Sequence, residues 1–259
     1  YTYAAYVARA HFAEEGGDHQ TQARYLERAR QLKVAFNQDF WLEDRGWFAL
    51  GLDADKHAID ALASNMGHCL WTGIVDDDKA PVVAERLLSP ELFADWGIRT
   101  LATTMRAYNP VSYHNGSVWP HDSALCAAGL MRYGFVDEAL RVVDGLLDVS
   151  AAGGGRLPEL FAGLSRSEMA IPVAYPTSCA PQAWASAAAL QILRLLLRLD
   201  PAAPHGQVWV APVLPAGVGR LRVEGIDVAG QRLTIDVDAD RCEISGAGPL
   251  TISPVPCPH

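Results

Sequence analysis

Apolar residues recur at helical spacing in seven stretches of this chain, residues 3–15, 20–37, 59–74, 79–88, 119–133, 136–149 and 179–199. Each stretch has one apolar stripe, and a helix of that kind is stable only when the stripe is covered by another element. Most of the first two hundred residues therefore read as α-helix. Gly16-Gly17, Gly51, Ser89-Pro90, Asn109-Pro110, Gly134 and the glycines at 153–155 punctuate the connections, so neighbouring helices are expected to pair as antiparallel hairpins. Several connections are long and rich in Trp, His and Asn, and loops of that composition carry function.

After Asp200-Pro201 the pattern changes. Residues 207–212, 220–228, 232–238 and 241–245 alternate apolar and polar side chains between Gly, Pro and Asp turns, which predicts a small antiparallel β segment with too few strands for a sandwich. With 259 residues, half of them apolar, the chain can bury one large core and a small appendage.

A formal net charge of −9, with no dense Lys/Arg cluster, argues against a nucleic-acid-binding face and fits neutral or polar substrates. The longest apolar run, 183–197, is interrupted by Gln191 and Arg194 and is too short and too polar for a membrane span. It reads as a core helix, with Trp184 assigned to packing. Five scattered cysteines without a CxxC spacing indicate neither a zinc site nor a disulfide framework, which makes a reducing cytoplasm the default location. The chain opens as YTYAAYVARAHFAEE, already in helical period and without an initiating Met, as a piece of a longer protein would.

Two segments concentrate chemistry. YHNGSVWPHD at 113–122 places His114, Asn115, Trp119, His121 and Asp122 where a Gly-containing turn meets an apolar helix. An aromatic plane beside polar groups suits a sugar ring, the indole covering its apolar face and the polar groups bonding its hydroxyls. The same residues also admit a bland reading, with Ser117 and Asp122 capping the helix, or a metal reading, although seven-residue spacing does not put the two imidazoles on one helical face. RLPELFAG at 156–163 sets Glu159 among Pro, Leu and Phe. Such surroundings disfavour ionisation unless other groups compensate, and they mark a candidate catalytic carboxyl. Its alternative is a carboxylate at a helix N-terminus, and Glu168 is the competing residue. Trp71 and Trp96 sit beside Gly in motif loops and are candidates for a sugar-stacking surface or for core. Arg99, in WGIRT, is a candidate donor to sugar hydroxyls or a partner in a buried salt bridge with Asp95 or Asp122.

Taken in order, GLD (51–53), SNMGHCLWTGI (64–74), ELFADWGIRT (91–100), YNPVSYHNGSVWPHD (108–122) and LPELFAG (157–163) resemble the bacterial amylo-α-1,6-glucosidase family. These are glycogen-debranching-like glycoside hydrolases of the six-hairpin class, related to the mannosylglycerate hydrolase-like enzymes. The resemblance covers about residues 1–200. It implies a mainly α fold, the C-terminal part of an α/α barrel of six hairpins, as a catalytic domain over 1–203 followed by the antiparallel β segment over 204–259. It implies an inverting hydrolase of α-glucosidic bonds, without cofactor or metal, acting on an oligosaccharide or glucan and needing neither nucleic acid nor membrane. The general base falls on Glu159, the Glu of LPELF, and the general-acid Asp falls upstream of Tyr1. A catalytically silent carbohydrate-binding or scaffold fragment is the alternative.

Overall fold

The computed structural model describes residues 1–258. Two compact units are present, Tyr1–Ser186 and the residues from Ala187 on. Among the described residues there are seven α-helices, α1 (Thr2–Glu15), α2 (His19–Asp39), α3 (Asn65–Thr72), α4 (Ala80–Leu87), α5 (Pro120–Arg132), α6 (Val136–Ala152) and α7 (Ala183–Leu197). Each falls on one of the seven periodic stretches. None is long and apolar enough to cross a membrane.

Two helices start later than their apolar periodicity suggests. Before α3, residues 59–63 lie outside the helix, because Ile59 trades backbone hydrogen bonds with Leu50 (3.0 Å) and Gly51 (2.8 Å) and Ala63 bridges Leu101. Those partners satisfy the amides that a longer helix would have used. The helix ends at Gly73, whose φ of 80° makes the left-handed cap that a residue with Cβ resists. Before α7, Pro181 disfavours helical geometry at Ala180, and the Cys179 carbonyl accepts from the Glu159 amide.

In the first unit α1 packs on α2, and α5 packs on both α3 and α6. The α3–α5 contact is unusually close because glycines face it. A Cβ on Gly67 would lie 2.3 Å from the Cys126 sulfur, and one on Gly129 would lie 2.6 Å from the Gly67 carbonyl and 2.7 Å from the Trp71 amide. A short hairpin, β1 (Trp41–Leu42) with β2 (Trp47–Phe48), follows α2.

The loops between helices are tied together by a ladder of single bridges running Leu101 to Ala63, Arg99 to Val118, Val118 to Phe161 and Phe161 to Ala174. Val118 and Phe161 exchange hydrogen bonds of 2.9 and 3.0 Å. At Gly163 a Cβ would fall 1.7 Å from the Gly116 carbonyl, so this contact excludes any other residue there. Arg99 holds the ladder from inside. Its side chain is 2% exposed and donates to the backbone carbonyls of Gly163 (2.6 Å), Pro90 (2.9 Å), Phe93 (3.2 Å) and Glu91 (3.4 Å). Neither the sugar-binding role nor the salt bridge expected for Arg99 is realised. The planar fork directs its donors to backbone carbonyls, two of which have a second donor, Glu91 from the Thr103 amide and Gly163 from the Tyr108 hydroxyl.

In the second unit, β5 (Arg220–Val228), β6 (Gln231–Asp238) and β7 (Cys242–Ser245) form the expected antiparallel sheet. A second small sheet departs from expectation. There β4 (Gln207–Trp209) pairs antiparallel with β3 (Asp200–Ala202) and parallel with β8 (Thr251–Ser253). Leu197 of α7 joins Val208, Val210, Val228, Leu233 and Ile235 in the core of this unit.

Two stability outcomes follow. In an exposed helix Gly→Ala stabilises by about 1 kcal/mol, but at Gly129 the added methyl meets backbone atoms, so Gly129→Ala should destabilise by roughly 2 kcal/mol in denaturant titration. A gain in stability would show that α3 and α5 separate without cost. Arg99→Lys, which keeps the charge and loses the fork, should destabilise by roughly 3 kcal/mol, with a midpoint shift measurable by the same titration.

Candidate active site

Glu159 is delivered by the ladder rather than by a helix. Residues 157–163 form no helix, with Glu159 at a bend and Phe161 bridged to Val118, which removes the helix-dipole reading of this carboxylate. The side chain is 5% exposed, and three neutral donors converge on it. The Tyr113 hydroxyl donates to Oε1 at 2.6 Å, the Cys179 amide to Oε2 at 2.9 Å and the Gln182 side-chain amide to Oε1 at 3.5 Å. These bonds, led by the Cys179 amide and then Tyr113, hold the carboxyl below its ordinary value of 4.5 against the opposing effect of burial. Glu159 is therefore an ionised acceptor near neutral pH, which suits a base and not a proton donor. Tyr113 is affected in the opposite direction, its hydroxyl pushed up to about 12 chiefly by the bond to Glu159, so it remains a donor. Glu168, the competing carboxylate, is exposed and accepts from the amide and hydroxyl of Ser165 at 2.7 Å each, closing a surface turn.

Tyr113, which bonds Glu159, also meets the rings of Trp119 and His114, and these two belong to the wall of an open cavity of about 320 Å³ together with Asn115, His121, Asp122 and Trp184, a wall that does not include Glu159 itself. The structure thus brings five of the candidate site residues to one wall. Trp119 is 5% exposed and is fixed by its indole N–H, which donates to the Tyr113 carbonyl (3.2 Å) and the Ser117 hydroxyl (3.1 Å). His114 lies parallel to it at 6.2 Å between ring centres, while His121 and Trp184 stack on each other at 4.0 Å with their planes 5° apart. Trp184 corrects the sequence reading. It is 45% exposed and lines the cavity, because it sits in the first turn of α7, ahead of the residues that this helix buries.

The other two indoles lie elsewhere. Trp96 is 3% exposed and packs with Ala94, Val118, Val149 and Phe161, with the Arg166 guanidinium 3.7 Å above its ring centre. It is core beneath the ladder and not part of the cavity wall. Trp71 is half-buried on α3, meets the ring of Tyr1 edge-on at 5.9 Å and is also absent from the wall. Nor does side-chain capping describe the start of α5. Trp119 is its N-cap without a side-chain bond, Pro120 occupies the first turn, and the Ser117 hydroxyl donates back to the Tyr113 carbonyl.

Asp122 is 9% exposed, in the first turn of α5. One oxygen is 2.6 Å from His68 Nε2, whose other ring nitrogen is 2.7 Å from the Tyr1 hydroxyl. The second oxygen, Oδ2, is buried without a protein partner, as is His121 Nδ1. Burial lowers the His121 imidazole below its ordinary value, with Asp122 opposing, so the ring is neutral and offers one donor and one acceptor. His68, Asp122 and Cys126 bring ligand atoms within 4.8 Å of one another, as do the exposed Asp53, Asp55 and His57. In the first set the His68–Asp122 pair stands at 2.6 Å, whereas two ligands of one tetrahedral zinc are about 3.3 Å apart for bonds of about 2.0 Å. It is a hydrogen-bonded pair as it stands.

Sequence reasoning missed Tyr113, Cys179, Gln182 and His68 as partners of the two carboxylates. Tyr113 stood inside the singled-out motif, where an aromatic next to His114 was the available clue. The others join through chain reversals that have no local pattern.

Residues 1–162 match the profile of the Mannosylglycerate hydrolase MGH1-like glycoside hydrolase domain, and residues 202–253 match that of the glycosyl hydrolase family 65 C-terminal domain. A mannosylglycerate hydrolase of Rubrobacter radiotolerans is 30% identical over 125 residues, 46% of this chain and 28% of that protein. Among solved structures, a sialidase superposes with a TM-score of 0.75 at 16% identity, over 95% of this chain and 24% of its own. A GH63 mannosylglycerate hydrolase from Thermus thermophilus in complex with glucose gives 0.56 at 20% identity, over 74% and 45%. These structural likenesses show a shared fold, and the chain spans less than half the length of each of these three proteins. With 162 of its 259 residues matched by one family profile, the chain belongs to the MGH1-like glycoside hydrolase domain family.

Proposed function

We propose that this chain carries the general base and one sugar-binding wall of an inverting α-glucosidase. The observation that supports this reading best is Glu159, a buried carboxylate held by neutral donors, one of which, Tyr113, packs against two rings of the aromatic cavity wall. A carboxylate bonded to Arg or Lys would have its charge compensated by the partner. Held by Tyr113, Cys179 and Gln182, it keeps a full negative charge to polarise a water molecule. That water attacks the anomeric carbon while a second carboxyl protonates the leaving oxygen. Following the resemblance, the acid is an Asp supplied from outside this chain. Residues 1–203 then form part of an α/α-barrel catalytic domain, and residues 204–259 form its C-terminal β segment.

The cavity favours a neutral glycosyl group. Trp119 and Trp184 offer apolar faces for a pyranose, and the polar lining residues His114, Asn115, His121 and Asp122 stand beside them to bond its hydroxyls. No Lys or Arg is among the residues that line it. On this wall we take a neutral α-glucoside, with α-1,6-linked glucan as the first choice, as the substrate to set against mannosylglycerate.

In the full-length enzyme, Glu159→Gln should lower kcat by roughly 10²–10⁴-fold with KM nearly unchanged, because a base acts mainly in the transition state. Proton NMR of the wild-type reaction should show the β-anomer first. Near-normal turnover in the variant, or an α-anomer formed first, sinks the reading. A side-by-side assay of α-1,6-linked glucan, a short α-glucoside and mannosylglycerate decides the substrate. Trp184→Ala should raise KM about tenfold while the melting temperature stays nearly constant, as befits a half-exposed ring. A large drop in melting temperature with KM intact would return Trp184 to the core.

A further inference from the structure

The most tightly held side chain near Glu159 is one that no part of the proposed mechanism uses. Tyr113 is fixed at its backbone and at its ring. Its carbonyl accepts from the Ser117 hydroxyl (2.9 Å) and the Trp119 indole (3.2 Å). The ring is wedged edge-on between Trp119 (4.9 Å, 90°) and His114 (4.7 Å, 89°), with Tyr175 at 5.7 Å. Two of these neighbours, Trp119 and His114, are also walls of the cavity. From that frame the hydroxyl reaches Glu159 at 2.6 Å, whereas Gln182 reaches the same oxygen only at 3.5 Å.

We propose that Tyr113 is the positioning residue of the base, its hydroxyl setting the rotation of the Glu159 carboxylate and its ring coupling that rotation to the aromatic wall that receives the sugar. This rests on the reading of Glu159 as base. A lone carboxylate on a segment that forms no helix has freedom about its last torsion, which is broad and roughly two-fold. Donors on opposite sides of the group, Tyr113 on Oε1 and the Cys179 amide on Oε2, leave it one orientation. Trp119 and His114 hold the Tyr113 ring from the cavity side, so a sugar that orders these two rings also orders the donor, and the base is aligned when the site is filled. The ionisable groups with the largest effect on this pair are the Cys179 thiol and Tyr175, and the donors bonded to Glu159 are all neutral. The phenol is therefore the side chain that chiefly stabilises the charged form of Glu159, and the pH profile reports on it.

The test is the pH dependence of kcat/KM in the full-length enzyme carrying Tyr113→Phe, which keeps the ring and removes the donor. The acid limb should move up by about one pH unit, and kcat at its optimum should fall about tenfold with KM within threefold of wild type. An acid limb at the wild-type position overturns the proposal, even if kcat falls, because a packing role alone would give that result. Should Tyr113→Phe not fold, 3-fluorotyrosine at position 113 is the second variant. It is nearly isosteric and a stronger donor, so it should move the acid limb down, and an unmoved limb there likewise overturns the proposal. Glu159→Gln in the same assay separates the two readings. Loss of turnover in Glu159→Gln with an unmoved limb in Tyr113→Phe rejects the positioning role alone, whereas retained turnover in Glu159→Gln rejects the base itself.

Discussion

The site depends on the backbone of Val118. That residue bridges Arg99 on one side and Phe161 on the other, and two residues later the chain enters α5. One extended residue therefore fixes both the segment that carries Glu159 and the helix that carries His121 and Asp122. Neither would be held by local preference, since residues 157–163 form no helix or long strand of their own. The contact between Gly163 and Gly116 and the buried Arg99 fork close the same region, one by absence of a side chain and the other by a set of carbonyl bonds. The ladder is held because its polar groups bond one another, and the Nε and Nη1 donors of Arg99 are used on backbone carbonyls within it.

Two of the buried carboxylates, Asp122 and Glu159, are treated differently by their surroundings. Asp122 faces an imidazole, His68, and keeps one oxygen without a protein partner next to the cavity. Glu159 faces only neutral donors. A neutral cradle keeps Glu159 ionised without a counter-charge, at the cost of some basicity, while Asp122 is tethered to a helix neighbour across the close α3–α5 contact. The glycines at that contact are what let His68 and Asp122 meet. Separation of the two helices by a single methyl would lengthen a 2.6 Å bond and loosen the cavity wall.

Much of the frame was legible in the chain. Helical period located all seven helices, and the alternation after Pro201 located the β5–β7 sheet. Motif composition located Glu159 and five residues of the cavity wall. The errors share a cause. Trp96, Trp71 and Trp184 look alike in sequence, each an indole near a break in pattern, yet one is core, one lies against Tyr1 and one lines the cavity. Periodicity says that a side chain lies on the apolar stripe of a helix. It does not say whether the helix has a neighbour at that turn.

By itself, the sequence determined what local physics determines: where helices run, where glycine and proline interrupt them, and which segments hold too many polar and aromatic groups to be mere connections. Only the tertiary structure decided which groups meet. Tyr113 and Glu159 are 46 residues apart, Cys179 is 20 residues further on, and His68 is 54 residues from Asp122. No pattern along the chain encodes those meetings, because each depends on how whole helices close against one another and on the ladder that ties their loops, and not on the preferences of the residues that touch.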